Sequence, residues 1–372
     1  MKILHINALD SRYGCSVRAR AIRDLLRGAG HHLLYAEPGC GSACGADFSI
    51  PARGGVGGWA AVASLFAGLA RNESYDVLFV SKPIPPNIPA MLAARQKGAA
   101  ILLDCDDLDF EFQSARPLRL AALAAMKQGC RLADAIITHN GRLAQAIRRI
   151  AGCQAQIIPQ GVDTELFNPA LYDRDAARRR LGLEGKKVFG LVATMTSGGA
   201  RAFPAMLEAL SQALKGRDDA VLMVVGGGPL LKRMRRIAAG TVGPKARFEG
   251  MVGHEEVPAY IAAMDIALLY MLDDDADAAR SSMKLLEYLA MGVPVVARLT
   301  GHCAEAYAEL CLSCADAPSF VQACRRCLEA PPPRGQHAEH IRERCSWKTL
   351  SPMFQEALER AAQARRSRTA GR

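Results

Sequence analysis

The sequence has no long apolar run, which argues against a protein that spans a membrane. No stretch of its 372 residues reaches the about 18 consecutive apolar residues that a membrane-spanning helix needs. The N-terminus, MKILHINALD, turns polar too early for a secretory signal and predicts a first β-strand instead. A fixed repeat of roughly 20 to 50 residues, typical of solenoids and propellers, is also absent. We therefore expect a soluble, cytoplasmic globular protein.

Two glycine-rich signatures of nucleotide-binding enzymes are missing as well. No G-x-x-x-x-G-K-[ST] occurs, which leaves a P-loop kinase or ATPase unsupported. No G-x-G-x-x-G follows the first strand, which argues against a Rossmann site for a nicotinamide dinucleotide. The first strand leads instead to Gly14, and a helix is predicted to begin near Ser16, a residue type that caps helices. Such a turn either receives an anion on its backbone N–H groups or is a plain connection.

The formal net charge of +10 needs an explanation. The sequence has neither a basic stripe interleaved with aromatic residues nor a nucleic-acid-binding motif, so we expect no nucleic-acid partner. The phosphates of a small ligand and an anionic membrane surface explain the charge equally well. The basic C-terminal segment RAAQARRSRTAGR is typical of a solvated, frayed end.

The chain has twelve cysteines and no export signal, which predicts reduced thiols rather than a disulfide framework. Cys311, Cys314, Cys324 and Cys327 follow the spacing C-x2-C-x9-C-x2-C, and four thiolates can bind zinc. However, the first two flank a strand-like segment, and the last two share one face of a predicted helix. Small buried thiols are ordinary core residues. The sequence leaves structural zinc as an alternative and favours free thiols.

Short β-branched or leucine-rich runs alternate with amphipathic stretches, which predicts parallel sheets with helices on both faces. In the first half, strands are predicted near 2–8, 31–36, 76–81, 100–104, 134–138 and 155–159. The pattern then restarts, with strands near 187–193, 220–226, 246–250, 265–270, 293–297 and 310–313. Helices are predicted between the strands, for example at 16–28, 87–98, 116–132, 141–151, 203–215, 229–239, 255–264, 282–291 and 318–329.

The length of the chain exceeds what one hydrophobic core usually holds, so two domains are expected. We predict an α/β protein with two doubly wound, Rossmann-like domains, at 1–160 and 161–349. A helix at about 350–365 is expected to pack back on the first domain. The join lies in IIPQGVDTELFNP, where proline, glycine and asparagine accumulate. Ligands of such sheets bind beyond the carboxyl ends of the strands, so two facing domains predict a cleft between them.

The segment SSMKLLEYLAMGVPVVA carries the most information about function. Ser282 to Met291 has helical periodicity, Gly292 ends the helix, and VPVVA predicts a buried parallel strand. Lys284 and Glu287 are three residues apart and share a helix face. They form either a solvated ion pair or part of a binding site. In a binding site, the N–H groups at the helix start bind phosphate, and the carboxylate accepts hydrogen bonds from ribose hydroxyl groups.

Six ordered motifs resemble those of the family-4 GT-B glycosyltransferases. They are IIPQGVDTELFNP, VLMVVGGGPLLKRM, RFEGMVGHEEVPAY, VPAYIAAMDIALLY, MKLLEYLAMGVPVVA and GHCAE, within residues 130–345. The resemblance implies a GT-B fold and a retaining transferase of the hexosyltransferase type. It implies a UDP- or GDP-sugar donor bound by the C-terminal domain and an acceptor bound by the N-terminal domain. It implies no cofactor or metal, because a helix N-terminus and basic side chains stabilise the leaving diphosphate.

The resemblance also assigns the donor site. Glu287 matches the glutamate that binds the ribose. Arg201 occupies the position of the diphosphate-binding lysine, where arginine retains the positive charge. Gly226 and Gly228 match glycines that follow a strand, and Val252, with Phe248 and Gly250, matches the stretch that frames the base. The other expected donor-site residues are Gly14, Thr194, Arg280, Ser282, Met283, Lys284 and Leu285.

Two departures from the family pattern concern the same site. The family's first glutamate, eight positions before Glu287, is Ala279 here, and the arginine before the diphosphate lysine is Thr194. Four carboxylates lie just upstream: Asp273, Asp274, Asp275 and Asp277. A subset of the family with S-x-x-K-L-x-E-Y lacks that first glutamate, so the resemblance still implies activity. Lys284 or Arg280 is then expected to supply positive charge near the diphosphate.

In the N-terminal half, the family's histidine after the fourth strand is absent, and LLDCDDLDF places Asp104, Asp106, Asp107 and Asp109 there. Carboxylates at the end of a strand can orient or deprotonate an acceptor hydroxyl. We therefore predict Asp106, Asp107 and His139, in ITHNGR, as catalytic residues. The aspartates can instead cap a helix, form a surface loop or bind a divalent metal. His139 can instead cap the next helix.

The sequence leaves three hypotheses about function. The leading hypothesis is sugar transfer to an unidentified acceptor, which is a glycan, a lipid-linked carrier, a protein or a small metabolite. VGGWAAVASLFAGLA and RPLRLAALAAMKQGCRLA can touch the inner membrane face, although helices packed on the sheet are the simpler interpretation. A non-catalytic GT-B scaffold that binds a nucleotide or a partner fits Ala279 and Thr194. A nucleotide-sugar 2-epimerase ranks lowest, because its histidine and acidic residues are not evident.

Overall fold

The computed structural model describes residues 1–10, 16–39, 45–50 and 55–370. The chain forms two compact units, Met1–Pro159 with Trp347–Arg372, and Gln160–Ser346. The domain ends predicted from the sequence, 160 and 349, lie one and three residues beyond the ends of these segments. In the described ranges, no helix is both long and apolar enough to cross a membrane.

The first unit contains a six-stranded parallel sheet in the order β2-β1-β3-β4-β5-β6. Its strands are β1 (Lys2–Asn7), β2 (His32–Ala36), β3 (Val77–Ser81), β4 (Ala100–Asp104), β5 (Ala135–Thr138) and β6 (Gln156–Ile157). Its helices are α1 (Val17–Gly28), α2 (Gly55–Asn72), α3 (Ile88–Lys97), α4 (Arg116–Leu132), α5 (Gly141–Ala151) and α15 (Trp347–Ala370). Central strands such as VLFVS and AILLD are buried along their whole length, as parallel strands covered on both faces must be.

The C-terminal helix α15 belongs to the core of the first unit. Its apolar residues Trp347, Phe354 and Leu358 are buried in one cluster with Phe79 and Leu102 of the sheet. Burying large aromatic side chains is among the strongest contributions to a core. The last helix of the chain is therefore part of the first unit, although the whole second unit precedes it in sequence.

The second unit contains another six-stranded parallel sheet, in the order β12-β11-β10-β7-β8-β9. Its strands are β7 (Lys187–Val192), β8 (Ala220–Val225), β9 (Ala246–Gly250), β10 (Ile266–Tyr270), β11 (Val295–Arg298) and β12 (Leu312–Cys314). Its helices are α6 (Arg174–Leu181), α7 (Phe203–Ala213), α8 (Leu231–Thr241), α9 (Val257–Ala263), α10 (Asp275–Ala278), α11 (Met283–Ala290), α12 (Gly301–Tyr307), α13 (Ala317–Glu329) and α14 (Ala338–Cys345).

Each sheet has one point where the strand order reverses. In the first unit this point lies between β1 and β3, and in the second unit it lies between β7 and β10. The connections that leave two such strands run to opposite faces of the sheet and open a crevice at the carboxyl edge, where doubly wound proteins bind ligands. The predicted α/β class with two Rossmann-like sheets is confirmed. A ligand-binding site is therefore expected beside each of the two reversal points.

The four cysteines with zinc-like spacing lie in two different core clusters. Cys314, Cys324 and Cys327 are buried with α7 and α13, whereas Cys311 packs against the cluster that contains α11. Burial raises the pKa of Cys311 to about 12 and those of Cys314 and Cys327 to about 11, which disfavours the thiolate that zinc requires. Within the described residues, no group of three or more histidine, cysteine or carboxylate side chains is placed to hold a metal ion. The four thiols pack in the hydrophobic clusters of the second unit.

Candidate functional site

The N-terminus of α11 lies at the carboxyl edge of the second sheet, next to the reversal point. Helix starts leave their first backbone N–H groups without partners in the helix. Ser282 precedes α11 in an extended conformation, and its side chain does not cap these groups. Leu285 is fully buried and its N–H already donates to the Ser282 carbonyl at 3.1 Å, so the N–H groups of Met283 and Lys284 are the ones left to a ligand; Ser282 and Met283 are half-buried. This end of α11 can therefore receive an anion.

Glu287 lies one turn into α11 and is only 5% exposed. Its Oε1 is 3.0 Å from Nε2 of His254, which lies in the turn that follows β9. A carboxylate can only accept, so Nε2 of His254 donates the proton. The solvated Lys284–Glu287 ion pair considered from the sequence is not what forms. The partner of Glu287 is a histidine 33 residues away in the chain.

Lys284 remains available at the same helix end. It is half-buried, and in the part of the chain that the structure describes no carboxylate lies within salt-bridge distance of its Nζ. Burial lowers the pKa of Lys284 to about 8, with a further contribution from Arg280, while Glu287 and Asp277 act in the opposite direction. A poorly solvated ammonium next to free helix N–H groups is a favourable place for an anionic ligand.

Arg201 and Arg280 are brought together by the acidic turn of α10. The Asp277 carboxylate is buried, and its Oδ1 lies 3.3 Å from Arg280 and 3.5 Å from Arg201. Its Oδ2 accepts from the backbone N–H of Leu272 at 2.7 Å, which fixes its position. Arg201 also pairs with Asp274, which is more exposed. Two guanidinium groups therefore converge beside the reversal point, and each can fork onto phosphate oxygens.

The glycines of GGGP are explained by backbone packing. Gly226 and Gly228 have φ angles of 125° and 145°, which L-side chains rarely adopt. A Cβ at Gly226 would lie 2.1 Å from the carbonyl oxygen of Ala193, and one at Gly228 would lie 2.7 Å from that of Met195. Thr194 lies between these two carbonyls. The glycines thus allow the loop after β8 to lie directly on the loop after β7.

The residues expected to frame a base do not share one surface. Phe248 packs in the cluster with α7, with its ring 6.2 Å from that of Phe203, whereas Val252 packs in the cluster with α11. Gly250 has a φ of 85°, and its carbonyl oxygen accepts from Gly226 N–H at 2.7 Å. Only Val252 lies in the cluster that carries Glu287's helix. Gly14 lies outside the described residues.

In the first unit, Lys82 occupies an unusual backbone position directly after β3. Its φ is 69°, and it is the only non-glycine residue in the described ranges with a positive φ. The Asn87 amide donates to the carbonyls of Ser81 and Lys82 at 2.9 and 2.8 Å, and Lys82 N–H donates to the Asp104 carbonyl. A left-handed lysine costs about 1 kcal/mol or more. Such strain persists where the surrounding contacts hold it.

The conformation of Lys82 directs its ammonium into the aspartate cluster. Nζ lies 2.7 Å from Asp106, 2.9 Å from Asp107 and 3.3 Å from Asp109. Burial raises the pKa of Asp106 to about 7; Lys82 opposes the rise, and the neighbouring aspartates add to it. Asp104 is separate, because it forms a buried two-point pair with Arg18 at 2.8 and 3.1 Å. The structure therefore brings Asp106 and Asp107 together and adds Lys82, which the sequence pattern does not mark.

His139 joins this cluster through its ring. Its Nε2 bonds the backbone carbonyl of Asp106, and its Nδ1 lies 2.7 Å from the Asn140 amide nitrogen. Because Nδ1 accepts from the amide, Nε2 is the protonated nitrogen. The N-cap of α5 is Asn140, whose Oδ1 accepts from Leu143 N–H at 2.8 Å, so the alternative of His139 as the cap is wrong. His139 holds the Asp106 loop in place.

Two family models match the chain. Glycosyltransferase Family 4 matches residues 14–166, and Glycosyl transferases group 1 matches residues 186–330. A GDP-mannose-dependent alpha-(1-6)-phosphatidylinositol monomannoside mannosyltransferase of Mycobacterium tuberculosis is 30% identical over 149 residues. That match covers 39% of this chain and spans only 38% of the relative's length. A 2-deoxystreptamine glucosyltransferase of Streptomyces kanamyceticus is 24% identical over 220 residues, 56% of this chain and 55% of that protein.

Solved structures match nearly the whole chain. A sucrose-phosphate synthase from Thermosynechococcus elongatus has a TM-score of 0.75 at 17% identity, covering 98% of this chain and 100% of that one. Anabaena HepE, in complex with UDP and glucose, has a TM-score of 0.74 at 16% identity, covering 96% and 99%. The fold is therefore GT-B. With a glycosyltransferase model matched in each unit, the chain belongs to the group 1, family-4 glycosyltransferases, as its motifs predict.

Proposed function

We propose that the protein is a retaining glycosyltransferase that moves a sugar from a UDP- or GDP-sugar to an acceptor hydroxyl. The observation that carries the proposal is the arrangement at the carboxyl edge of the second sheet. Arg201 and Arg280 meet on Asp277 just before α11, Lys284 lies in the first turn of α11, and Glu287 lies one turn further along. Cations and helix N–H groups suit a diphosphate, and a buried carboxylate suits ribose hydroxyls.

The same groups serve the chemistry of the leaving group. When the bond between the sugar C1 and the donor oxygen breaks, the nucleoside diphosphate takes the electron pair and gains negative charge. The two guanidinium groups and the ammonium stabilise that charge as it develops. We therefore propose transfer without a metal or other cofactor. A donor diphosphate would take the place of the half-exposed carboxylate of Asp274 on Arg201.

The aspartate cluster of the first unit is the proposed acceptor site. The acceptor hydroxyl loses its proton as its oxygen bonds to the sugar C1. Asp106, with a pKa of about 7, accepts this proton near neutrality. Asp106 and Asp107 together orient the hydroxyl. His139 keeps the Asp106 loop in place.

Among the relatives, the mannosyltransferase is named for GDP-mannose and a phosphatidylinositol mannoside, and HepE was solved with UDP-glucose. These names support a nucleotide-sugar donor and a lipid or glycan acceptor for this chain.

A lipid-linked acceptor is supported by the exposed start of α4. Leu118 and Leu120 are 36% and 56% exposed, and Arg116 and Arg119 lie beside them in the same turn and a half. Apolar and cationic side chains together bind the surface of an anionic bilayer. We propose that α4 makes peripheral contact with the cytoplasmic face of the inner membrane. Leu120→Glu is expected to lower co-sedimentation with anionic vesicles without changing nucleotide binding.

The proposed activity is tested with a panel of UDP- and GDP-sugars, by following thermal stability and the release of free nucleotide with and without a chelator. A donor held at 100 times its dissociation constant adds about 2.7 kcal/mol of stability. Glu287→Gln should lose most of the stabilisation and turnover, whereas Glu329→Gln, a substitution of an exposed glutamate of α13, should not. Loss of turnover with a chelator would contradict the metal-free mechanism.

The other outcomes separate the alternatives. The buried Ala279, at the position of the family's first glutamate, is the observation that favours a non-catalytic scaffold. Donor binding without release, even with lipid and glycan acceptors supplied, would support that scaffold. A product epimerised at C2 would identify an epimerase. If no nucleotide or nucleotide-sugar raises the melting temperature, the donor-site assignment is wrong.

A further inference from the structure

His254 is presented to Glu287 by a closed turn. Gly253 N–H donates to Oε2 of Glu256 at 3.0 Å, and Glu256 N–H donates back to the Gly253 carbonyl at 3.0 Å. These reciprocal bonds close a single 3₁₀ turn, which fixes how the chain enters the next helix. His254 is the first residue inside this turn. The hydrogen bonds of this turn therefore fix the backbone position of His254 independently of the contacts of its side chain.

The imidazole ring is restrained on one side by Phe167. The two ring centroids are 5.3 Å apart with an angle of 54° between the planes, a tilted aromatic contact. Phe167 is almost completely buried in the core cluster that contains α11. A ring packed against a fixed neighbour loses few further rotamers when it forms a hydrogen bond. His254 is a preorganised donor.

The bond from His254 leaves the two oxygens of Glu287 in different states. Oε1 accepts from Nε2 at 3.0 Å. The other oxygen, Oε2, accepts no hydrogen bond from any residue in the described ranges. The terminal torsion of a glutamate is broad, so an unrestrained carboxylate samples many orientations. One strong bond to Oε1 selects one orientation and leaves Oε2 to a ligand.

We propose that His254 is the positioning residue of the donor site, holding Oε1 of Glu287 so that Oε2 accepts from a ribose hydroxyl of the nucleotide. This inference rests on the proposed function, and it adds to it the residue that positions the ribose contact. The contact with the ribose of the nucleotide then depends on a residue that does not itself touch the phosphates. Removing His254 should therefore weaken recognition of the nucleoside and leave recognition of the diphosphate intact.

The experiment measures the affinity of the full chain for UDP, GDP, their 2′,3′-dideoxy forms and inorganic pyrophosphate by calorimetry. His254→Ala should weaken binding of the preferred ribonucleotide roughly tenfold, the size expected for one charge-assisted hydrogen bond. Binding of pyrophosphate and of the dideoxy forms should stay unchanged. His254→Gln retains an N–H donor and should recover most of the affinity. His340→Ala, at an exposed histidine of α14, is the matched control.

A double-mutant cycle tests the link to Glu287. If His254 acts through Glu287, His254→Ala should cause no further loss in a Glu287→Gln background. Full additivity, or an equal loss of pyrophosphate affinity in His254→Ala, would overturn the positioning role while leaving the proposed function intact. A wild-type chain that binds pyrophosphate but shows no preference for the ribonucleotides would also overturn it. If the wild-type chain binds none of these ligands, the proposed function itself fails.

Discussion

The ammonium of Lys82 lies 2.7 Å from the carboxylate of Asp106, at the carboxyl edge of the first sheet. A hydrogen bond from the Asn87 amide holds Lys82 in its left-handed conformation. A hydrogen bond from the His139 ring to the backbone carbonyl of Asp106 holds Asp106 in place. Three consecutive strand ends, those of β3, β4 and β5, thus contribute to one polar cluster. The contacts within this cluster can be tested by unfolding measurements, which do not require the acceptor to be known.

The first prediction concerns Asp106 and pH. Because the folded state raises the pKa of Asp106 from 3.8 to about 7, the folded protein binds this proton more tightly than the unfolded chain. Its contribution to stability is therefore present below pH 3.8 and is lost as the pH rises to about 7. The loss has a limiting slope of about 1.4 kcal/mol per pH unit.

Asp106→Asn should remove this slope, so that urea unfolding of the variant changes less between about pH 5 and pH 7 than that of the wild type. Asp218→Asn serves as the control, because the Asp218 side chain is fully exposed. An Asp106→Asn variant with the pH dependence of the wild type would show that Asp106 titrates normally.

The second prediction separates the charge of Lys82 from its backbone. Lys82→Met removes the ammonium and leaves three carboxylates without their cation, which should destabilise the first unit by about 3–5 kcal/mol. Lys82→Gly removes the same charge but also relieves the positive φ, so it should be the more stable variant by about 1 kcal/mol. Urea unfolding of both variants checks the order. A Met variant as stable as the wild type would contradict the ion cluster.

A third prediction tests why the glycines follow β8. Gly226→Ala adds a Cβ 2.1 Å from a backbone oxygen at a φ of 125°, so it should destabilise the second unit by about 2 kcal/mol or more. Gly240→Ala is the matched control, because its Cβ would meet no described atom within 4 Å and it lies in α8. That substitution should be neutral or stabilise by about 0.5–1 kcal/mol. Equal effects would show that the loops do not pack as described.

A fourth prediction concerns the arginines. Arg201→Gln should weaken binding of UDP, GDP and pyrophosphate alike, by roughly tenfold or more, because a guanidinium–phosphate bond is charge-assisted. Arg217→Gln removes a half-exposed arginine that pairs with Asp219 and should have no effect. Calorimetry with pyrophosphate checks both. If Arg201→Gln weakens nucleotides but not pyrophosphate, Arg201 does not bind the diphosphate.

The sheets could be predicted from the sequence because their strands are buried on both faces and read as short apolar runs. All twelve strands in the described ranges overlap predicted segments. Helices such as α6, RDAARRRL, and α10, DADA, have few apolar residues and begin at side-chain caps. Asp173 and Asp274 cap these two helices with their side chains. Local patterns of hydrophobicity do not show such helices.

The candidate sites were only partly predictable for a different reason. Asp106 and Asp107 stand out because they directly follow a predicted buried strand, and Glu287 stands out because the motif around it resembles that of the family. Lys82 does not, because neither its positive φ nor its pairing with aspartates 24 to 27 residues away leaves a local pattern. The same holds for His254, since its role appears only when the turn after β9 is placed beside α11.

The central claim is sugar transfer with retention, and the most direct measurement is the anomeric configuration of the product. The full chain is incubated with UDP-glucose or GDP-mannose and a panel of lipid and glycan acceptors, and the product is followed by nuclear magnetic resonance. We predict release of the nucleoside diphosphate together with a glycoside of the donor's own anomeric configuration, and loss of both in Glu287→Gln. A product of inverted configuration, or transfer that is unchanged in Glu287→Gln, would contradict this account.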